Sequence, residues 1–414
     1  MAFQFPDGFI WGTAAAAHQV EGNNINNDFW LLENTPDTIF KEPSGDACDH
    51  FHRYPYDIAL MAQLGFSSYR LSVEWARIEP EPGLFSKAAL DHYRRMLASC
   101  HEHGLLPCVT FHHFTSPRWF TADGGWEDRK AVDLFAKYCK QTVKHLGDMI
   151  GIACTINEAN LTASLAIRGT LPRNGVKFHA PFFAEAARRC GTTLDRFGPF
   201  LLGEPFKIRD VMLEAHIKAV DALKSGAGDF PVGVTLSMSD YQAIPGGEAV
   251  RNKALAEDFD PFLEAARRDD FVGVQTYSRT RFGANGPLDP EEGVEVLIMG
   301  YELWPESLEA TIRYAHKKAS VPIYVTENGI GTTNDEQRIE YVRRALKGVV
   351  ACLKDGIGVR GYYYWSMLDN FEWLFGYGPQ FGLVGVDRET QLRTIKPSAV
   401  YLGNIAKANA FDEA

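Results

Sequence analysis

Eight short runs of apolar, β-forming residues recur along this chain, separated by longer stretches of helical periodicity, and that alternation limits the folds open to it. The runs fall at residues 9–13, 68–73, 106–111, 150–156, 232–237, 271–276, 323–326 and 361–365. Helical patterns lie at 54–64, 87–103, 129–144, 208–224, 307–319, 336–353 and 397–407. Strands separated by helices are joined by right-handed crossovers and therefore run parallel. Eight of them predict an α/β fold of the closed (β/α)8 barrel type rather than an open sheet. A minimal barrel takes about 250 residues, whereas the chain has 414. No linker, repeat or low-complexity segment interrupts it, so residues 1–414 are expected to form a single barrel domain with the excess in its βα loops. The largest irregular stretch, 168–206, has Gly and Pro punctuation and a short helical pattern at 182–190. It follows the fourth run, which in a barrel sets it over the C-terminal face where active sites lie.

Charge and cysteine usage narrow the partners. The net charge of −11 argues against nucleic acid and anionic membrane, both of which need a basic footprint. No stretch approaches the roughly 18 continuous apolar residues of a membrane span. The seven cysteines are odd in number, scattered, and form no C-x-x-C pair, which predicts reduced thiols in a cytoplasm rather than a disulfide framework. The N-terminal residues lack the basic flank and apolar run of a signal peptide. The 12 histidines include the pair His112–His113 but no zinc spacing, so neither a metal nor another cofactor is expected.

The C-terminal ends of the runs carry the chemistry. The fourth ends in Asn157-Glu158 and the seventh leads into Glu327-Asn328-Gly329. The second carries Arg70 and leads to Glu74, the third ends in His112-His113, and the last leads to Glu372-Trp373. In a parallel barrel these ends converge on one face. Each residue taken singly has a plainer reading. With 53 acidic residues in the chain, one Glu at a strand end signifies little. Arg70 fits a structural ion pair, His113 a satisfied core histidine, and the aromatic residues an ordinary core. Their convergence from independent βα units is what points to an enzyme with a carboxylate-rich, aromatic-lined pocket, a combination suited to sugars. Spacing alone goes no further.

At these residues the chain resembles glycoside hydrolase family 1, the retaining β-glucosidase and β-galactosidase family. The resemblance rests on six blocks in order: Phe5-Pro-Asp-Gly-Phe-Ile-Trp-Gly-Thr-Ala with Gln19-Val-Glu-Gly22; Tyr69-Arg-Leu-Ser-Val-Glu-Trp-Ala-Arg-Ile78; residues 110–119; Thr155-Ile-Asn-Glu158; Thr326-Glu-Asn-Gly329; and residues 361–377, containing Trp365-Ser-Met-Leu-Asp-Asn-Phe-Glu-Trp373. It implies Glu327 as nucleophile and Glu158 as general acid/base, with Asn157 on the sugar 2-hydroxyl and Arg70 and Tyr277 on the Glu327 carboxylate. Gln19, His113, Trp373 and Glu372 are implied to bind the other sugar hydroxyls, and Trp365 to floor the ring. Phe381 and Tyr301 are implied to complete the substrate-binding walls. The implied activity is that of an exo-acting retaining β-glycosidase on small β-glycosides or oligosaccharides. A β-glucosidase is expected first, with galactosyl or fucosyl units also open.

Two close variants are disfavoured on particular residues. Relatives that act on 6-phosphorylated sugars lack the Glu-Trp of the last block, and Glu372 is expected to repel a phosphate dianion. Thioglucosidases replace the acid/base Glu with Gln, whereas Glu158 is intact. A transglycosidase sharing the covalent intermediate stays open, while a non-catalytic sugar-binding barrel fits poorly with both glutamates present. The chain also departs from the family pattern. The usual Asn-Glu-Pro reads Asn157-Glu158-Ala159, and the usual Asn-Tyr-Tyr reads Gln275-Thr276-Tyr277. The common aglycone-wall Trp aligns with Tyr301, with Trp304 three residues on. Residues 168–206 lack the usual Gly/Pro-rich loop pattern.

Overall fold

The computed structural model describes residues 2–413; the two end residues of the 1–414 expectation lie outside them. Eight parallel strands close into a barrel: β1 (Ile10–Ala14), β2 (Ser68–Ser72), β3 (Leu106–His112), β4 (Ile152–Ile156), β5 (Val232–Ser237), β6 (Phe271–Gln275), β7 (Ile323–Asn328) and β8 (Val359–Trp365). Each strand neighbours the next in sequence, and β8 returns to β1. All eight lie within two residues of their expected bounds. The barrel is filled by side chains. On β1, Gly12 leaves room for the ring of Tyr363 from β8, which would lie 2.3 Å from a Cβ at that position. The Tyr363 hydroxyl then meets Ser68 of β2 at 2.8 Å.

Helices wrap the strands: α1 (His50–Leu64), α2 (Lys87–Glu102), α3 (Lys130–Leu146), α4 (Pro205–Lys224), α5 (Glu248–Asp258), α6 (Ser307–Ala319), α7 (Asp335–Lys354) and α8 (Pro397–Ala408). Their starts follow from local chemistry. Ser86 and Asn334 cap α2 and α7 by accepting from backbone N–H groups, and proline opens α4 and α8 where its missing N–H costs nothing. The pattern at 54–64 marks only the later part of α1, which begins at His50 and holds Pro55 inside it. Helix α5 had no counterpart in the sequence pattern. Only Ala254 and Asp258 are buried along it, so it presents no apolar stripe at 3.6-residue spacing.

Away from the barrel, residues Phe3–Gln4 pair antiparallel with Ala410–Phe411 on the side where the strands begin. The Trp11 indole also donates to Asn409 there, at 2.9 Å. Residues 168–206 contain the α-helix Phe182–Arg189, a 3-10 turn at Phe200–Leu202 and, from Pro205, the start of α4. Among the described residues no helix is long and apolar enough to cross a membrane.

Candidate active site

Arg70, Asn157 and Glu327 come together at the C-terminal ends of their strands, whereas Glu74 and His112 bond elsewhere, to the Thr115 hydroxyl at 2.8 Å and the Ser116 hydroxyl at 3.1 Å. Arg70 rises from β2 and is fully buried. Its Nη1 donates to Glu327 Oε1 on β7 at 2.6 Å, and its Nη2 donates to Asn157 Oδ1 beyond β4 at 2.5 Å. Tyr277, two residues past β6, donates its hydroxyl to Glu327 Oε2 at 2.7 Å. Both Glu327 oxygens are thus held by donors.

Glu158 sits beside this pair. Its backbone is left-handed (φ 44°), a conformation that costs a non-glycine residue roughly 1–2 kcal/mol and turns the side chain away from the strand. The turn is held from β5: the Glu158 N–H reaches Thr235 Oγ1 at 3.3 Å and the Ala159 N–H donates to Thr235 O at 3.3 Å. The second of these bonds needs an N–H that proline lacks, so Ala159 ties β4 to β5 where the usual family residue could not. The hydroxyl of Ser237, the last residue of β5, lies near enough to the Glu158 carboxyl to act against the rise in its pKa.

Electrostatics separates the carboxyls. Burial, and then the Glu327 charge, push Glu158 up to about 8. Burial pushes Glu327 up as well, but there the Arg70 guanidinium and the Tyr277 hydroxyl act against it. Of the two, Glu327 is therefore placed to ionise and Glu158 to keep a proton at neutral pH. Glu372 is pushed up to about 8 by burial and Glu327, and among the described residues it makes no ion pair. A buried carboxyl at this position offers a phosphate no cation.

The remaining residues form the walls. A one-turn helix, Ala17–Val20, carries Gln19, whose Nε2 donates to Phe371 O at 2.6 Å and Glu372 Oε2 at 3.2 Å while its Oε1 is buried without a partner. The His113 ring stacks near Trp365 (5.7 Å between centroids) and Trp373 (6.1 Å). Burial, Arg70 and His112 hold its pKa well below the usual histidine range, so it is a neutral ring with an unpartnered Nδ1. Phe381 packs edge-on against Tyr277 at 6.0 Å, and Tyr301 lies 6.5 Å from the same ring. Trp304 is held elsewhere, under the Arg279 guanidinium at 3.5 Å.

Thr235 and Ser237 are site residues that the sequence reading passed over. Their signal was the strand-end rule itself, since 232–237 ends in a serine, but a single hydroxyl there is too common to single out. Among the described residues no cluster of three or more His, Cys, Asp or Glu side chains could hold a metal ion.

Comparison with known proteins adds an independent line. The family model described as Glycosyl hydrolase family 1 matches residues 1–282 and 266–411. Thermostable β-glucosidase B of Thermobispora bispora is 32% identical over 460 aligned residues, covering 98% of this chain and 91% of that protein. β-Glucosidase A of Thermotoga maritima is 29% identical over 465, covering 99% of each. Among solved structures, the β-glycosidase BGL167 superposes with a TM-score of 0.94 at 54% identity, covering 99% of each chain.

Proposed function

The chain belongs to glycosyl hydrolase family 1 and is an O-glycosyl hydrolase, and on that premise we propose that it is a retaining, exo-acting β-glucosidase. The observation that carries this reading is the unequal treatment of two neighbouring buried carboxyls. Glu327 is gripped by Arg70 and Tyr277, while Glu158 has its pKa raised to about 8. Retaining hydrolysis needs that asymmetry.

In the first step a Glu327 oxygen attacks the anomeric carbon as the bond to the leaving oxygen breaks, and Glu158 gives that oxygen its proton. The product is a glycosyl ester of Glu327 and a free alcohol. The Glu327 charge is now gone, and with it one of the two causes that raise Glu158. The Glu158 carboxylate then takes a proton from water as the water attacks the same carbon and releases Glu327. Asn157 is read as holding the 2-hydroxyl. Gln19, His113, Glu372 and Trp373 hold the others, and Trp365 lies under the ring.

The relatives' β-glucosidase names support glucose as the first sugar, and the buried carboxyl of Glu372 supports an unphosphorylated one. One barrel unit holding the whole site is the domain reading, and the scattered cysteines favour a cytoplasmic setting.

Steady-state hydrolysis of nitrophenyl glycosides tests the roles. Glu327→Gly should lose more than about 10⁴-fold in kcat. Glu158→Ala should lose about 10²–10⁴-fold on poor leaving groups but retain attack on activated aryl glycosides, with azide accelerating turnover to the β-azide. Near-wild-type rates in Glu327→Gly, or an α-azide from Glu158→Ala, would overturn the assignment.

A further inference from the structure

Gln275 stands where the family pattern has asparagine, and its surroundings give the extra methylene a purpose. In register, Gln275 lies opposite Glu327 on β7 and opposite Ser237 on β5, so it is flanked by the nucleophile and by a neighbour of the acid/base. Its Nε2 donates to Asn157 Oδ1 at 2.9 Å. That same oxygen accepts from Arg70 Nη2 at 2.5 Å and from Thr235 Oγ1 at 3.5 Å. Arg70 can only donate, so the Asn157 atom facing it is the oxygen and the Gln275 atom facing that oxygen is the amide nitrogen. Both amide orientations are therefore fixed by chemistry. Two atoms are left over, Asn157 Nδ2 and Gln275 Oε1, both buried and neither with a partner. One is a donor and the other an acceptor.

We propose that Gln275 is a specificity-determining residue that contacts substrate: its Oε1 accepts the proton of the sugar 2-hydroxyl while Asn157 Nδ2 donates to the oxygen of that hydroxyl. A hydroxyl is the smallest group that satisfies a donor and an acceptor together. The 2-hydroxyl is chosen because both amides hang on the Arg70–Glu327–Asn157 network and so border the anomeric carbon. Accepting its proton makes the 2-oxygen more electron-rich, which stabilises positive charge growing at the neighbouring carbon. Burying both atoms unpaired also disfavours a sugar without that hydroxyl.

This inference rests on the retaining-hydrolase reading, and the test separates the two. Wild type and Gln275→Met, a side chain of similar length with no hydrogen-bonding oxygen, are assayed on a nitrophenyl β-glucoside and on its 2-deoxy analogue. The variant should lose about 10- to 100-fold in kcat/KM on the glucoside and no more than about threefold on the 2-deoxy substrate. Equal losses on both, as expected if a water bridges the two atoms, overturn the proposal, as does no loss on either. A wild type inactive on β-glycosides overturns the parent reading as well. Should Gln275→Met not fold, Gln275→Glu keeps an acceptor oxygen and should slow both substrates by the same factor. A selective loss on the glucoside in Gln275→Glu also overturns the proposal.

Discussion

Two regions beside the sugar pocket are built on opposite principles. The strand-end network of Arg70, Asn157, Gln275 and Glu327 hangs on barrel strands, so each side chain is set by the register of its neighbours. Segment 168–206 has no strand to hang on and is stitched down by isolated bonds: Cys190 Sγ to Arg118 O, Thr192 Oγ1 to Ala122 O, Gly198 N to Thr121 O, and Lys177 to Glu127 and Phe197 O. It reaches the pocket through rings, Phe200 lying 5.4 Å from Phe114 and Phe114 4.9 Å from Trp373, and through the charge of Arg168, which acts on Glu158. The contrast teaches that the reacting groups are set by strand register, whereas the segment is set by bonds that can be altered one at a time.

Ranked by effect on turnover, three experiments press on that separation. Arg70→Met strips the cation from a buried carboxylate and removes one of the donors to Asn157 Oδ1, so kcat/KM should fall about 10²–10³-fold. Glu327 loses a group that lowers its pKa, so the acid limb of the pH profile should move to higher pH. A milder loss would mean that the network is less of a unit than its bonds imply. The second experiment is the wild-type profile. Glu158 must be protonated to donate, and its pKa is raised to about 8. Activity should therefore hold below that pH and fall about tenfold per unit above it, whereas Glu158→Gln should show no such limb. Smallest in rate is Lys177→Met, which leaves Glu127 buried without its cation. It should cost about 3–5 kcal/mol of stability by denaturant titration, with small aryl glycosides turned over within about twofold of wild type. A large loss of turnover would show that the segment shapes the pocket after all.

Much of this was legible in the sequence, for identifiable reasons. Parallel strands buried on both faces read as largely apolar runs, and most of the eight did, although 68–73 carries Arg70 and two serines. The side chains at their ends were legible because a barrel gathers strand ends on one face. Helix α5 was not, since only two of its residues are buried and periodicity needs a stripe. Nor were Thr235 and Ser237, whose importance lies in their neighbours: the Glu158 N–H and Asn157 Oδ1 for Thr235, the Glu158 carboxyl for Ser237. Ala159 reads in sequence only as a missing proline, yet in the fold it supplies an N–H that joins two strands. Gln275 likewise reads as a departure, and only its partners show that the longer amide leaves an oxygen unspent.

The ribbon of Phe3–Gln4 with Ala410–Phe411 bears on how the enzyme could be handled. The two paired segments lie together, on the side of the barrel opposite the mouth. A surface tether attached beside this ribbon would point away from incoming glycosides. Forms immobilised through it should therefore keep their catalytic rates.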